Sequence, residues 1–326
     1  MPGCCVILSC AVERAGRFPG DIVSKLSRIA ALVLCPVLGC GAQSAPSDLG
    51  PDGNLEAVRG PEAPLSDGGT PTWWRPTPAT PIHWHWQLSQ DFSFPRDVLP
   101  NKTVYDLDGE LTSAETVAKL HALGPDVVVI CYFDAGVYED YRSDKARFPA
   151  SVIGNPDEGW DGSYWLDIRQ LDILLPIMRD RMINWCKNKG FDAIEPDETE
   201  VWSNDSGFPI TKAQNNAFNK AIADLAHSLG MSVGLKGNNT EAPELVNYFD
   251  WALTEQCWEY DECALFKNSF IAQGKAVFNV EYNVNPNCTR ANQWHINSSR
   301  RDLELVGPTA SGYLYQPCIP DTQATW

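Results

Sequence analysis

From Ile82 onward the chain alternates short apolar or β-branched runs with polar loops and helical stretches, and that alternation leaves few folds open. The strand-like runs are IHWHWQL (82–88), TVYDLD (103–108), DVVVICYF (126–133), YWLDI (164–168), FDAIEPD (191–197), SVGLKG (232–237), WALTEQ (251–256) and AVFNVEY (276–282). Between them lie helical runs such as SAETVAKLHALG, PIMRDRMINWCKNKG and TKAQNNAFNKAIADLAHSLG, the last opening on the cap residue Thr211 and closing at Gly230. Repeated strand–helix units build a parallel sheet covered by helices. Eight of them over residues 81–326 predict an α/β fold of the (β/α)8 TIM-barrel type. An open doubly wound sheet fits less well, because no G-x-G-x-x-G follows the first strand.

Nearly every predicted strand ends in an acid: Asp106 and Asp108, Asp134, Asp167, Glu195 and Asp197, Glu255, and Glu281. One such acid is usually a helix cap or a surface charge. A ring of them at the carboxyl ends of barrel strands, where barrel enzymes keep their chemistry, raises some carboxyl pKa values by mutual repulsion. One acid can then donate a proton while another stays ionised.

The net charge of −17 is concentrated in this domain: residues 1–40 carry +2 and residues 41–80 carry −3, which leaves −16 for residues 81–326. Such a surface excludes nucleic acid as a partner and suits a cationic one. There is no G-x-S-x-G, Walker loop or H-E-x-x-H, and no spaced acidic loop for calcium, so neither metal nor cofactor is expected. His83 and His85 face one side of a strand, but interleaved tryptophans favour a structural or stacking role over a metal site. Paired carboxylates among 12 tryptophans fit glycoside hydrolysis, which needs one carboxyl for the leaving oxygen, one for attack, and flat faces for sugar rings.

The amino end is different in kind. Residues 1–40 combine Arg14, Arg17, Lys25 and Arg28 with the apolar run IAALVLCPVLGC, the parts of an export signal. The VLGC ending resembles a bacterial lipobox, which predicts lipidation of Cys40 and a membrane anchor; an ordinary cut near Ala42 or Ala45 is the alternative. Translation from Val23 gives a signal of ordinary proportions. Residues 41–80, rich in Pro and Gly, read as a flexible tether. In an exported domain Cys257 is expected to pair with Cys263 and Cys288 with Cys318, while Cys131 and Cys186 read as buried thiols.

The segments WHWQL, VYDLD, VICYFDAGVYEDYR, WDGSYWLDIR, GFDAIEPDETEVW, GFPIT, VGLKG, TEQCWEYDEC and FNVEYN, in this order over about residues 82–318, resemble glycoside hydrolase family 114, the endo-α-1,4-polygalactosaminidases. The resemblance implies a TIM barrel acting on α-1,4-linked galactosamine or N-acetylgalactosamine polymers. Its catalytic pair, an Asp ending the fifth strand in EPD and a Glu ending the seventh in EQC, falls on Asp197 and Glu255. Asp197 is expected as nucleophile or stabilising carboxylate and Glu255 as general acid and base. Trp86, Asp106, Tyr132, Asp134, Glu195, Lys236 and Glu281 occupy motif strand ends and are expected to hold the sugar; Trp165, Trp202 and Trp258 are further candidate stacking platforms. Asp134 stands where the family commonly has serine, and Glu198 where asparagine follows EPD, so both add negative charge near the site. The expected partner is a cationic or partly acetylated galactosamine-rich polysaccharide. A non-catalytic carbohydrate-binding surface lipoprotein on the same fold is the competing expectation.

Overall fold

The computed structural model describes residues 73–326. The expected export signal, with Cys40, and the tether up to residue 72 lie outside the described residues. The last part of the tether does not: Trp73 stacks on His227 at 4.7 Å and donates to Asp250 (3.1 Å), Arg75 donates to the same carboxylate (3.0 Å), and Trp74 packs on Trp251. The globular part therefore begins by Trp73, ahead of the expected boundary at 81. Flanking Pro and Gly made this stretch read as tether, but its two tryptophans and an arginine have built partners.

Twelve strands follow in chain order: β1 (Trp84–Gln87), β2 (Val104–Asp108), β3 (Val128–Asp134), β4 (Val137–Glu139), β5 (Ile153–Pro156), β6 (Ser163–Leu166), β7 (Ala193–Asp197), β8 (Ser232–Lys236), β9 (Trp251–Glu255), β10 (Val277–Glu281), β11 (Ile296–Arg301) and β12 (Tyr315–Pro317). The main sheet runs β1-β2-β3-β7-β8-β9-β10-β11-β12, parallel from β1 to β11, with β12 antiparallel on the β11 edge. Its eight parallel strands make a TIM-barrel-like fold. Among the described residues β1 and β11 share no backbone ladder; Asn297 Oδ1 accepts from Ile82 N (2.8 Å) across that seam.

Two expectations about strands need correction. YWLDI is not a barrel strand: it supplies β6, the middle of a separate antiparallel sheet β4-β6-β5 inserted after β3. The eighth barrel strand is β11, INSSRR, whose polar residues hide its strand character from a hydrophobicity pattern. Consequently Asp197 ends the fourth barrel strand and Glu255 the sixth, not the fifth and seventh.

Helices α1 (Ala114–His121), α2 (Leu171–Arg181), α3 (Lys212–Ser228), α4 (Ala242–Leu245), α5 (Cys263–Asn268) and α6 (Cys288–Trp294) link the strands. Ser113 caps α1, and Thr211 with Gln214 forms a capping box on α3, which satisfies amide groups that the first helical turn leaves open. Beyond α2 the chain makes a π-turn over Met182–Cys186, and Cys186 there is bonded to Cys131 on β3. These two cysteines are thus a disulfide and not the expected free thiols: strand and turn, 55 residues apart in sequence, are packed with Cα atoms 5.6 Å apart. Cys257 is bonded to Cys263 and Cys288 to Cys318.

Strand register decides what faces the barrel interior. Trp84, Trp86, Val104, Ile130, Ala193, Trp251, Leu253, Phe278 and Val280 form one buried cluster there. Gly234 lets the Trp251 indole lie across β8, since a Cβ at that position would come within 2.5 Å of the ring. Above this apolar floor, toward the carboxyl ends of the strands, the same inward face turns polar.

Candidate active site

Alternation along β7 points both Glu195 and Asp197 inward, one residue pair apart, while β8 ends on inward Lys236 and β9 on inward Glu255. Lys236 Nζ lies 2.9 Å from Asp197 Oδ1, 3.0 Å from Glu255 Oε2 and 3.6 Å from Glu195 Oε1. Those Asp197 and Glu255 oxygens are therefore no further apart than the first two lengths end to end, about 6 Å. Burial alone would lower the Lys236 pKa, but Asp197, Glu255 and Glu195 outweigh it and hold the ammonium well above its ordinary range.

Each carboxylate has further donors. Tyr132 on β3 donates its hydroxyl toward Asp197 Oδ2 (3.0 Å) and Asp134 Oδ1 (3.2 Å), and Glu198 N donates to Asp197 Oδ1 (2.7 Å). Tyr282, just past β10, donates to Glu255 Oε1. Burial, and next the neighbouring acids, push both tyrosines well above the usual phenol range, so they remain donors throughout the working pH range. Asp197 is mostly covered at 15% side-chain exposure, whereas Glu255 opens to solvent at 34%.

The chain leaves these strand ends through left-handed residues: Glu198 (φ 56°) after Asp197, Gly237 and Asn238 (55° and 51°) after Lys236, and Gln256 (56°) after Glu255. Non-glycine residues occupy this region at a cost, asparagine least, and such strain collects at functional sites. The Glu198 carbonyl needs the room: it lies against Gly136, where a Cβ would collide with it.

The structure gathers most of the expected site residues and redistributes their tasks. Trp86, Asp106 and Glu195 are inward but fully covered, at 1%, 0% and 0% exposure, and lie beneath the ammonium and out of reach of a sugar. Trp86 donates to Glu195 Oε2 (3.1 Å), and its ring lies 5.1 Å from Lys236 Nζ. Asp134 sits beside Tyr132 at the mouth. Asp108 belongs to a buried ion cluster, 2.7 Å from Arg142, and Asp167 pairs with Arg169 outside the barrel sheet.

Glu281 is corrected outright: β10 register turns it away from the interior, where it accepts from Trp258 N (3.0 Å), Glu259 N (3.2 Å) and Asn279 Nδ2 (3.1 Å) and fixes the loop after β9. Burial raises its carboxyl pKa against those donors. Trp165 is core, Trp202 packs half-buried against the same core, and Trp258, also half-buried, packs on Trp294 and donates to Ser298. His85 is buried and neutral, its pKa driven down to about 3 by burial, and it bonds Gln87, while His83 turns to Gln323. Tyr282 follows the acid that closes β10 and is not among the expected residues; the parity set by the apolar Phe278 and Val280 is the signal that places it on the inward face.

Asp134, Asp197 and Glu198 have carboxylate oxygens within 4.8 Å of one another, a spacing that a cation tolerates. Lys236 and Tyr132 already meet Asp197, and the cluster carries no metal assignment.

Residues 64–321 match the sequence model described as glycoside-hydrolase family GH114. Among solved structures, the chain is similar to Aspergillus fumigatus Ega3 in complex with galactosamine, at 29% identity over 74% of this chain and 97% of that one, with a TM-score of 0.65. It shares the fold of the glycoside hydrolase domain of PelA from Pseudomonas aeruginosa, at 12% identity over 71% and 98% of the two chains and a TM-score of 0.51. No curated protein matches the sequence.

Proposed function

The chain belongs to glycoside-hydrolase family GH114 and is a glycosidase, and from that premise we propose that it is an endo-acting hydrolase of α-1,4-linked polymers containing galactosamine or N-acetylgalactosamine. The observation that carries the chemistry is the shared ammonium: Asp197 and Glu255, from different strands, both lie within 3.0 Å of Lys236 Nζ. Asp197 receives Lys236, the Tyr132 hydroxyl and Glu198 N, three donors that orient the carboxyl and suit a nucleophile. Glu255, more open to water, suits the group that must exchange protons with leaving group and solvent.

The two oxygens that share Lys236 are at most about 6 Å apart, which is compatible with the roughly 5–5.5 Å carboxyl spacing of retaining enzymes, and we read the outcome as retention. Asp197 then attacks the anomeric carbon while Glu255 protonates the departing oxygen; Glu255 next takes a proton from water, which cleaves the glycosyl–Asp197 ester with net retention. The charge of −16 over residues 81–326, and the galactosamine bound by the similar Ega3 structure, support a substrate with free amino groups. Export by residues 1–40 and lipid attachment at Cys40 complete the proposal.

Incubation of the protein with galactosamine-rich and neutral polysaccharides, with reducing ends and product sizes measured, is expected to show internal cleavage of the galactosamine polymer and an initial product of retained anomeric configuration by NMR. Activity confined to neutral glucans would sink the substrate, and full activity in both Asp197→Asn and Glu255→Gln would sink the catalytic pair.

A further inference from the structure

Beneath the Lys236 ammonium, Asp106 on β2 and Glu195 on β7 both lie on the inward face of the barrel with no exposure to solvent. Neither Asp106 oxygen receives an N–H or a hydroxyl among the described residues, and neither does Glu195 Oε1; Trp86, the register neighbour of Asp106, reaches Glu195 with its indole, which puts the two bare carboxyls in one another's field. Glu195 is better supplied, with the Trp86 indole N–H at 3.1 Å and Lys236 Nζ at 3.6 Å. Two ionised carboxylates have no proton with which to bond each other, and in a covered site their repulsion is large. A single bridging proton resolves this. It rests on Asp106, which has no other donor, and leaves the negative charge on Glu195 facing the ammonium.

We propose that Asp106 and Glu195 are a one-proton carboxyl pair that positions Lys236 between Asp197 and Glu255, and that neither touches substrate. The inference rests on the reading of Asp197 and Glu255 as the catalytic pair. With the proton in place, Lys236 sits closer to the upper two carboxylates than to Glu195. Loss of the proton puts a second negative charge below the ammonium and draws it away from the catalytic pair. The groups facing the two carboxyls are Lys236 from β8, Asp197 from β7, Tyr132 from β3 and the Trp86 indole from β1, while Glu255 reaches them only through Lys236. Burial, the first cause for each, and then the charge of one carboxyl on the other hold the pair above the usual carboxylate range, so the shared proton is kept beyond the pH at which a free carboxyl would lose it.

The test pairs infrared spectroscopy with kinetics on the full chain and its Asp106→Asn and Glu195→Gln variants, each checked by thermal melting. The unsubstituted protein is expected to show a protonated-carboxyl C=O band at pH 6 that disappears in Asp106→Asn. The asparagine amide still donates to Glu195, so Asp106→Asn is expected to lose about tenfold less kcat than Glu195→Gln and to move the alkaline limb of the rate profile upward. Glu195→Gln is expected to lower kcat at least about tenfold with KM within about threefold. Absence of the band, equal loss in both variants, or a Glu195→Gln defect confined to KM overturns the proposal. The infrared result stands apart from turnover, so failure of the substrate assignment is separable from failure of the carboxyl pair.

Discussion

Replacing Lys236 by Met removes the cation between Asp197 and Glu255 while keeping most of the side-chain volume. Two unit charges no more than about 6 Å apart repel by at least about 3 kcal/mol at an effective dielectric constant of about 20. Glu255 is a third exposed, so water screens part of this and about 1–2 kcal/mol is the working figure. Breaking a largely buried ion cluster by deleting one partner costs about 3–5 kcal/mol in total.

The pH dependence separates the causes. The native Lys236 pKa is raised above its unfolded value, so its contribution is fully present below about 10.4 and is lost only as pH rises through the folded value; Lys236 does not titrate between pH 5 and 8. In the variant the covered carboxyls Asp106 and Glu195, already raised by burial, lose the lowering effect of Lys236 and rise further above their unfolded pKa values. They bind protons in the folded state first, so the variant regains stability as pH falls through that range. Chemical denaturation at pH 8 and pH 5 is expected to show a Lys236→Met deficit that shrinks by at least about 1 kcal/mol at the lower pH. A deficit that is constant, or larger at pH 5, would refute the electrostatic account and leave packing as the cause.

Gly234→Ala is expected to destabilise by about 1–3 kcal/mol in thermal or urea unfolding, because its Cβ would meet the Trp251 ring at 2.5 Å. Activity on a deacetylated polymer is expected to fall several-fold between low ionic strength and about 0.5 M salt, with KM carrying the change, since the attraction is between a polycation and a domain of charge −16; salt-independent KM would return the acidity to a solubility role. On the proposed lipid attachment, Cys40→Ser is expected to shift the protein from the membrane to the soluble fraction, and unchanged fractionation would exclude the anchor.

Much of the site was legible because its residues are set by local pattern. Asp197 and Glu255 close apolar runs whose strand character depends on their own sequence, and barrel strands present their carboxyl ends at one mouth whatever the ordinal number. The ordinal number itself is not a local property. YWLDI is as apolar as a barrel strand yet pairs in the β4-β6-β5 sheet, and INSSRR is as polar as a loop yet pairs with β10. Pairing is a contact between distant segments, and a strand whose inward face meets other polar groups shows no apolar period to mark it.

By itself, then, the amino-acid sequence determined the strand–helix alternation, the concentration of negative charge in one domain and the acids that close its strands, all properties of single residues or short windows. Only the tertiary structure decided the bond between Cys131 and Cys186, the outward turn of Glu281 that leaves Tyr282 on Glu255, and the complete burial of Asp106 and Glu195. It also decided that one ammonium, Lys236, serves three carboxylates from two strands. The physical reason is the same throughout: strand register sets which side chains meet inside the barrel, and burial sets which of their charges need a partner.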